Sequence, residues 1–128
     1  MIDSPETFLK TWMAAINGNE CENVLSLYSE NAILFPTFSN RQLDSPEKIR
    51  TYFEALTQRE ELSIALHEKT LAVQHIRPDL YSMTGIYCWR FAVDGELLSF
   101  EARFSFLLDL TKPRPILHHH TSQIPRSF

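Results

Sequence analysis

The chain has little cysteine, little clustered basic charge and no long apolar run, and each shortage excludes a class of protein. Its two cysteines, Cys21 and Cys88, are too few for a disulfide framework and too far apart in sequence for a zinc knuckle. No apolar run approaches the roughly 20 residues of a membrane-spanning helix. Basic residues are scattered singly and the formal net charge is -4, so the sequence indicates neither a membrane span nor a nucleic-acid surface.

What remains is the composition of one globular domain. The chain has 128 residues, of which 44% are hydrophobic and 22% are charged. We therefore expect a single domain over residues 1–128. The first six residues are acidic overall and lack the basic region, apolar core and cleavage site of a secretory signal, which predicts a cytoplasmic protein.

Helical signals dominate the first half of the chain. The motif Ser-Pro-Glu occurs twice, and each copy combines an N-cap residue, a proline at the first helical position and an acid in the first turn. Apolar residues at three- and four-residue spacing follow, which predicts helices over about 4–17 and 46–58. Between them, apolar residues predict a shorter helix through 24–28, and then a short strand at 32–35 that Pro36 ends.

From residue 62 onward the apolar period changes from helical to near two, which is typical of strands. Turn residues such as Asp94-Gly95 separate four such segments. Helices followed by a meander of strands predict an α+β fold, with the helices packed on one face of a curved antiparallel sheet. The predicted strands are 62–76, 81–93, 97–109 and 116–122.

Three consecutive histidines, His118, His119 and His120, lie on the last predicted strand. Successive side chains of a strand point to opposite faces, so His118 and His120 share one face while His119 lies on the other. Because a catalytic zinc site needs three protein ligands, we predict no metal site and no cofactor. A composite site that adds His67 or His75 and a carboxylate stays open as an alternative, and the sequence does not decide which face of the strand lines a pocket.

Four short pieces of the sequence are informative together: Phe35-Pro36-Thr37-Phe38-Ser39, Tyr52-Phe53, Ala102-Arg103-Phe104 and His118-His119-His120-Thr121-Ser122-Gln123-Ile124-Pro125. Taken jointly, they resemble the iota-class carbonic anhydrases. The order of elements is similar to the cone-shaped, cystatin-like fold of the nuclear-transport-factor-2-like superfamily, which includes SnoaL-type cyclases, ketosteroid isomerases and the association domain of calcium/calmodulin-dependent kinase II. Thr121 stands where the carbonic anhydrases usually have serine, and Ile124 where they usually have methionine.

This resemblance implies a metal-independent interconversion of carbon dioxide and bicarbonate, or binding of another small anion, in a polar pocket of the cone. Hydroxyl groups would position the attacking water, a histidine of the triplet would move the proton, and an arginine would stabilise the anion. The implied catalytic residues are Thr37, Tyr52, Ser122, Thr121, His119 and His120, and the implied substrate-binding residues are Arg103, Ser39 and His118.

Two other functions fit the same pattern. A non-catalytic small-molecule-binding or oligomerisation module of the kinase association-domain type would need no exact hydroxyl geometry. A SnoaL-type isomerase or cyclase would need a general base, for which Glu101 is the one carboxylate on a strand near the histidines. In each case Phe100, Phe104 and Phe106 predict more apolar sheet surface than the helices can cover, and hence a homodimer.

Overall fold

The structure, a computed structural model that describes residues 2–125, has three α-helices and one six-stranded sheet within those residues. This arrangement confirms the predicted α+β class. A single 3-10 turn at Glu68–Thr70 lies between the second and third strands. The elements in chain order are α1 (Pro5–Asn17), α2 (Cys21–Leu25), β1 (Tyr28–Phe35), α3 (Pro46–Thr57), β2 (Ser63–Leu66), β3 (Ala72–Arg77), β4 (Leu80–Val93), β5 (Glu96–Asp109) and β6 (Ile116–Gln123).

The two long helices begin where their sequences predict. The Ser4 hydroxyl oxygen accepts the Thr7 backbone N–H at 3.1 Å, and the Ser45 hydroxyl oxygen accepts that of Lys48 at 3.3 Å. Each cap satisfies one of the N–H groups that the first helical turn leaves without a partner. The apolar stripes of the helices are buried: Phe8, Leu9, Trp12 and Ile16 in α1, and Ile49, Phe53 and Leu56 in α3.

The sheet is mixed rather than wholly antiparallel. Its order is β1-β6-β5-β4-β2, with β3 pairing to β4 beside β2, and β1 runs parallel to β6 while the other neighbours are antiparallel. The prediction that residue Tyr28 ends the second helix is wrong. Tyr28 instead begins β1, opposite Ile116, and its side chain is 3% exposed. The prediction failed because an apolar residue at helical spacing can equally be the buried residue of a strand.

The predicted strand 62–76 is also interrupted. The 3-10 turn divides it into β2 and β3, which pair with two different halves of β4. Thr70 holds the break in place, because its hydroxyl donates to the His67 carbonyl at 2.7 Å and accepts the Ile86 N–H at 2.8 Å. The interruption therefore depends on a contact between strands, which the spacing of apolar residues along the chain cannot predict.

The helices pack on one face of the sheet. We call this the inner face, defined by Tyr87, Phe104 and His119, and we call the opposite one the outer face, defined by Ile86, Arg103 and Ser122. Trp12 of α1 meets the inner face, with ring centroids 5.8 Å from Tyr87, 5.5 Å from Phe106 and 5.4 Å from His119.

The phenylalanines of β5 lie on this inner face. Phe104 and Phe106 are 2% and 1% exposed, and Phe100 packs edge-on against Phe38 with centroids 5.3 Å apart. The prediction of an uncovered apolar surface at these residues is therefore wrong, because the helices bury Phe104 and Phe106 and the loop after β1 packs on half-buried Phe100. Self-association needs a different basis.

Candidate functional site

Strand alternation sorts the histidine triplet and the residues that follow it. His119 and Thr121 pair with Phe106 and Phe104 of β5 on the inner face, where they are 1% and 4% exposed. His118, His120 and Ser122 belong to the outer face. The structure thus selects Thr121, rather than Ser122, as the hydroxyl that faces the interior.

A pair of buried threonines forms the centre of the candidate site. Thr37 follows the end of β1, and its Oγ1 lies 2.7 Å from Oγ1 of Thr121, so one hydroxyl donates to the other. Thr37 is 9% exposed. Because Pro36 has no N–H to continue the ladder, the chain leaves the sheet here and brings Thr37 over the inner face.

Tyr52 connects this loop to α3. Its hydroxyl oxygen accepts the Phe38 backbone N–H at 3.3 Å, and burial raises the pKa of Tyr52. The hydroxyl therefore keeps its own hydrogen at neutral pH. Phe38 in turn packs edge-on against Trp89 and Phe91, with centroids 5.8 and 5.2 Å apart, so aromatic rings surround the residue that follows Thr37.

Tyr87 of β4 lies next to both threonines. Burial raises its pKa, while the nearby hydroxyls of Thr121 and Thr37 lower that pKa only in part. Tyr87 thus stays a neutral phenol that can accept one hydrogen bond and donate another. Since Thr37, Thr121, Tyr52 and Tyr87 are all uncharged, the site orients molecules through hydroxyl groups rather than through charge.

His119 is held behind Tyr87 by a chain of hydrogen bonds. Its Nε2 lies 3.2 Å from the Tyr87 hydroxyl, and its Nδ1 lies 2.9 Å from the Tyr28 hydroxyl. The Trp12 indole N–H donates to the Tyr28 oxygen at 3.3 Å, and the imidazole stacks on Phe106 with centroids 3.8 Å apart.

This setting disfavours a charged imidazole. Burial, followed by the influence of His118 and His120, places the pKa of His119 well below that of a free histidine. A shuttle that moves protons between solvent and substrate must be able to bind a proton near neutral pH. The proton-shuttle role predicted for His119 stays a prediction, and the geometry suits a neutral hydrogen-bond partner better.

Several predicted site residues do not join the inner cluster. Arg103 is exposed on the outer face, opposite Ser122 in the neighbouring strand, and His120 lies on that face with its ring 5.8 Å from Phe35. Ser39 accepts the Arg41 backbone N–H at 3.2 Å, a local turn contact. The structure therefore brings together Thr37, Tyr52, Thr121 and His119, and it separates from them Ser39, Arg103, His118, His120 and Ser122.

Four residues of the cluster escaped the sequence analysis: Trp12, Tyr28, Tyr87 and Trp89. Tyr87 and Trp89 alternate with outer-face residues on β4, so period two places them on one face. The alternation within β4 does not show that Tyr87 and Trp89 lie on the same face of the sheet as Thr121. The pairing of β4 with β5 and of β5 with β6 supplies the missing information.

The described residues also bear on metal binding and on base catalysis. Within residues 2–125, no group of three or more His, Cys, Asp or Glu side chains is close enough to share a metal ion. Glu101 lies on the outer face, where its carboxylate is 3.1 Å from Nε2 of His67. The carboxylate that an isomerase of the SnoaL type would use is therefore remote from the threonine pair.

Helices packed on one face of a mixed sheet, with polar groups buried between the layers, form a cystatin-like fold. Comparison with family models then narrows the class. The model of the calcium/calmodulin dependent protein kinase II association domain matches residues 6–125, and the chain belongs to that family.

Solved structures agree with this assignment. A Xanthomonas campestris structure assigned to the same association domain is 25% identical, with a TM-score of 0.85 over 95% of this chain and 86% of that one. The association domain of C. elegans CaMKII is 18% identical, with a TM-score of 0.72 over 90% of this chain and 89% of that one. A Novosphingobium aromaticivorans structure assigned as a scytalone dehydratase, at 6% identity and a TM-score of 0.80 over 94% and 81% of the two chains, shares the fold alone.

No curated protein matches the chain. Among the helices of residues 2–125, none combines the length and the apolar character that crossing a membrane requires.

Proposed function

We propose that the protein interconverts carbon dioxide and bicarbonate at the threonine pair without a metal ion. The observation that carries the proposal is the 2.7 Å contact between Oγ1 of Thr37 and Oγ1 of Thr121, buried on the inner face. Tyr52 adds a third hydroxyl through its bond to the loop that holds Thr37. The sequence pieces that resemble the iota-class carbonic anhydrases supply these same three side chains.

The chemistry follows from the lack of charge in this cluster. Water near its ordinary pKa is a weak nucleophile, so the site must contribute orientation. A water that donates to one threonine hydroxyl attacks the carbon of carbon dioxide. A carbon–oxygen bond forms while one carbon–oxygen π bond breaks, and the water proton passes through the paired hydroxyls to a substrate oxygen. The product, carbonic acid, ionises to bicarbonate and a proton in solvent.

Neighbouring residues suit a small apolar substrate. Phe38, next to Thr37 in the chain, packs edge-to-face on Trp89. Trp89 belongs to the buried core, and Phe38 packs against that core. Carbon dioxide carries no net charge or dipole, so an apolar wall accepts it while the hydroxyls bind the water. Tyr87 and Tyr52 stay protonated because burial raises the pKa of each phenol.

Removal of single hydroxyl groups tests the proposal. Thr37→Val and Thr121→Val keep the branched shape of the side chain. After chelator treatment of the protein, each variant should hydrate carbon dioxide about 100-fold more slowly than the wild type, as loss of one positioned donor does in other enzymes. Stopped-flow pH-indicator assays measure the rate. Thr11→Val, on the exposed side of α1, is the matched control and should keep full activity. Wild-type activity equal to that of buffer would end the proposal.

A second candidate is self-association through the outer face, which the family membership favours. Within residues 2–125 the helices cover the inner face, so the outer face of β4, β5 and β6 has no helical layer. A shallow groove on that side mixes apolar and polar side chains, as a contact surface between copies would. Its lining includes Thr84, Ile86, Arg103, Ser105 and His120. Assembly and catalysis use opposite faces and are compatible.

The isomerase or cyclase alternative has less support. The buried side chains among the described residues include the polar Thr37, His119 and Thr121 and the phenols Tyr28 and Tyr87, and none of the buried side chains is a carboxylate. A neutral histidine with a lowered pKa is a weak base. This arrangement offers no group matched to proton abstraction from carbon.

A further inference from the structure

The indole N–H of Trp89 is a buried donor without an acceptor. The side chain is 2% exposed, and Nε1 forms no hydrogen bond among the described residues. The N–H lowers the pKa of the Tyr87 hydroxyl, as a weak donor to that oxygen would, but it forms no hydrogen bond of normal geometry with it, and the ring lies edge-to-face with Phe38 and Tyr87. Buried donors are nearly always satisfied in folded proteins, so this one indicates a partner that the chain does not itself supply.

The direction of each hydrogen bond in the cluster can be assigned from the donors. The Trp12 indole is a donor only and uses one acceptor site on the Tyr28 oxygen. Among the described residues Nδ1 of His119 is the acceptor within reach of the Tyr28 hydrogen, so we assign that hydrogen to Nδ1. A neutral imidazole with Nδ1 accepting has its hydrogen on Nε2, which then donates to the Tyr87 oxygen. The hydrogen of Tyr87 is consequently directed toward the threonine pair.

The cluster has more hydrogen-bond donors than acceptors for them. The contact between Thr37 and Thr121 uses one hydroxyl hydrogen and leaves one over. Tyr52 accepts the Phe38 N–H and so retains its own hydrogen for another partner. Trp89 adds a third unused donor. A cluster with three unused donors and no charge suits a small molecule rich in acceptor oxygens, such as an oxyanion.

We propose that Trp89 is a substrate-binding residue, and that its Nε1–H donates to one oxygen of a bicarbonate-sized oxyanion whose other oxygens accept from Tyr52 and the threonine pair. This assignment rests on the proposed function and adds to it a donor from β4. It also explains selection between substrate and product. Carbon dioxide is a poor hydrogen-bond acceptor and gains little from the indole, whereas bicarbonate gains a full charge-assisted bond.

The two tryptophans provide the test, because the chain contains Trp12 and Trp89 and no others. In a proton–nitrogen NMR spectrum of the wild-type protein, each indole N–H gives one signal. Titration with sodium bicarbonate at mildly alkaline pH should move the Trp89 proton signal downfield along a saturating curve. The Trp12 signal, whose N–H already bonds Tyr28, is the internal control and should move little. Sodium chloride at the same ionic strength should move neither.

Trp89→Phe extends the test to affinity. Loss of one charge-assisted hydrogen bond should weaken bicarbonate binding by about tenfold. Replacing Trp89 by its sulfur isostere, 3-benzothienylalanine, keeps the ring and removes only the N–H, so it separates loss of the donor from loss of packing. Unchanged affinity in the folded isostere would refute the role of Nε1–H.

The outcomes separate this inference from the proposed function. A saturating Trp89 shift without carbon dioxide hydration leaves an oxyanion site that is not an enzyme, so the catalytic proposal fails and the donor assignment stands. Hydration activity with a Trp89 signal that stays fixed in concentrated bicarbonate leaves the enzyme and overturns the assignment. Equal movement of both tryptophan signals would also overturn it.

Discussion

At the scale of single residues, buried neutral His119 should make stability depend on pH. Its pKa in the folded protein lies well below the value near 6.5 of an unfolded histidine, so below pH ~6.5 the unfolded chain binds a proton that the folded chain excludes. The free energy of unfolding is therefore fully retained above that pH, and it should fall by up to about 1.4 kcal/mol per pH unit between pH ~6.5 and ~5.5. Urea denaturation at several pH values measures this slope.

Substitution of histidines identifies the residue responsible for the slope. His119→Gln should reduce it over that range, whatever the variant loses in stability at neutral pH. His75→Gln is the matched control, because His75 lies on β3, whose residues are all exposed. A slope that survives in His119→Gln and disappears in His75→Gln would contradict the assignment of a neutral buried imidazole.

At the scale of elements, the cap of α3 should influence both stability and the site, since α3 carries Tyr52. Ser45→Ala removes the bond from the Lys48 N–H and should lower the free energy of unfolding by about 1 kcal/mol. Ser45→Asp retains an acceptor at the N-cap and should stay near the wild type. Urea midpoints at constant m-value measure both variants. An equal loss in the two variants would show that the cap bond is not the cause.

The same elements show how far sequence reasoning extends. The starts of α1 and α3 depend on residues three apart, so Ser4 and Ser45 predict them. The division of the strand predicted at 62–76 depends on a bond between Thr70 and Ile86, which local patterns do not contain. Alternation in β6 correctly separated His119 from its neighbours. It left the inward face undecided, because that face is set by pairing with β5 and by packing under α1.

The candidate site needed information of the same long-range kind. Resemblance drew attention to Thr37, Tyr52 and Thr121, which come from a loop, a helix and a strand that the fold brings together. The resemblance also suggested Arg103. Alternation within β5 puts Arg103 on the outer face, whereas its neighbour Phe104 lies on the inner face. Donor counting at Trp89 required atomic contacts, and no spacing in the sequence could have predicted it.

At the scale of the whole molecule, the two faces of the sheet divide the two candidate functions. Every residue of the threonine cluster lies under α1 or α3 or on the inner face, so substitutions on the outer face should leave it intact. An antiparallel sheet can present one face to water, and half-buried Ile86 in the middle of that face is the natural centre of a contact between copies.

If copies associate through the outer face as proposed, charge placed at Ile86 should weaken that association and leave the proposed carbon dioxide hydration unchanged. Ile86→Glu introduces a carboxylate that would lose its hydration at a contact between copies, an unfavourable change that weakens association strongly. Leu97→Glu is the matched control, since Leu97 is 52% exposed near the hairpin between β4 and β5. Light scattering with size exclusion should show a smaller particle for Ile86→Glu alone. The rate of carbon dioxide hydration per chain should stay near that of the wild type. A wild-type chain that is already monomeric would exclude the outer face as an interface. Dissociation by Leu97→Glu instead would move the contact from Ile86 to the hairpin end of the same face, since Leu97 shares that face with Arg103.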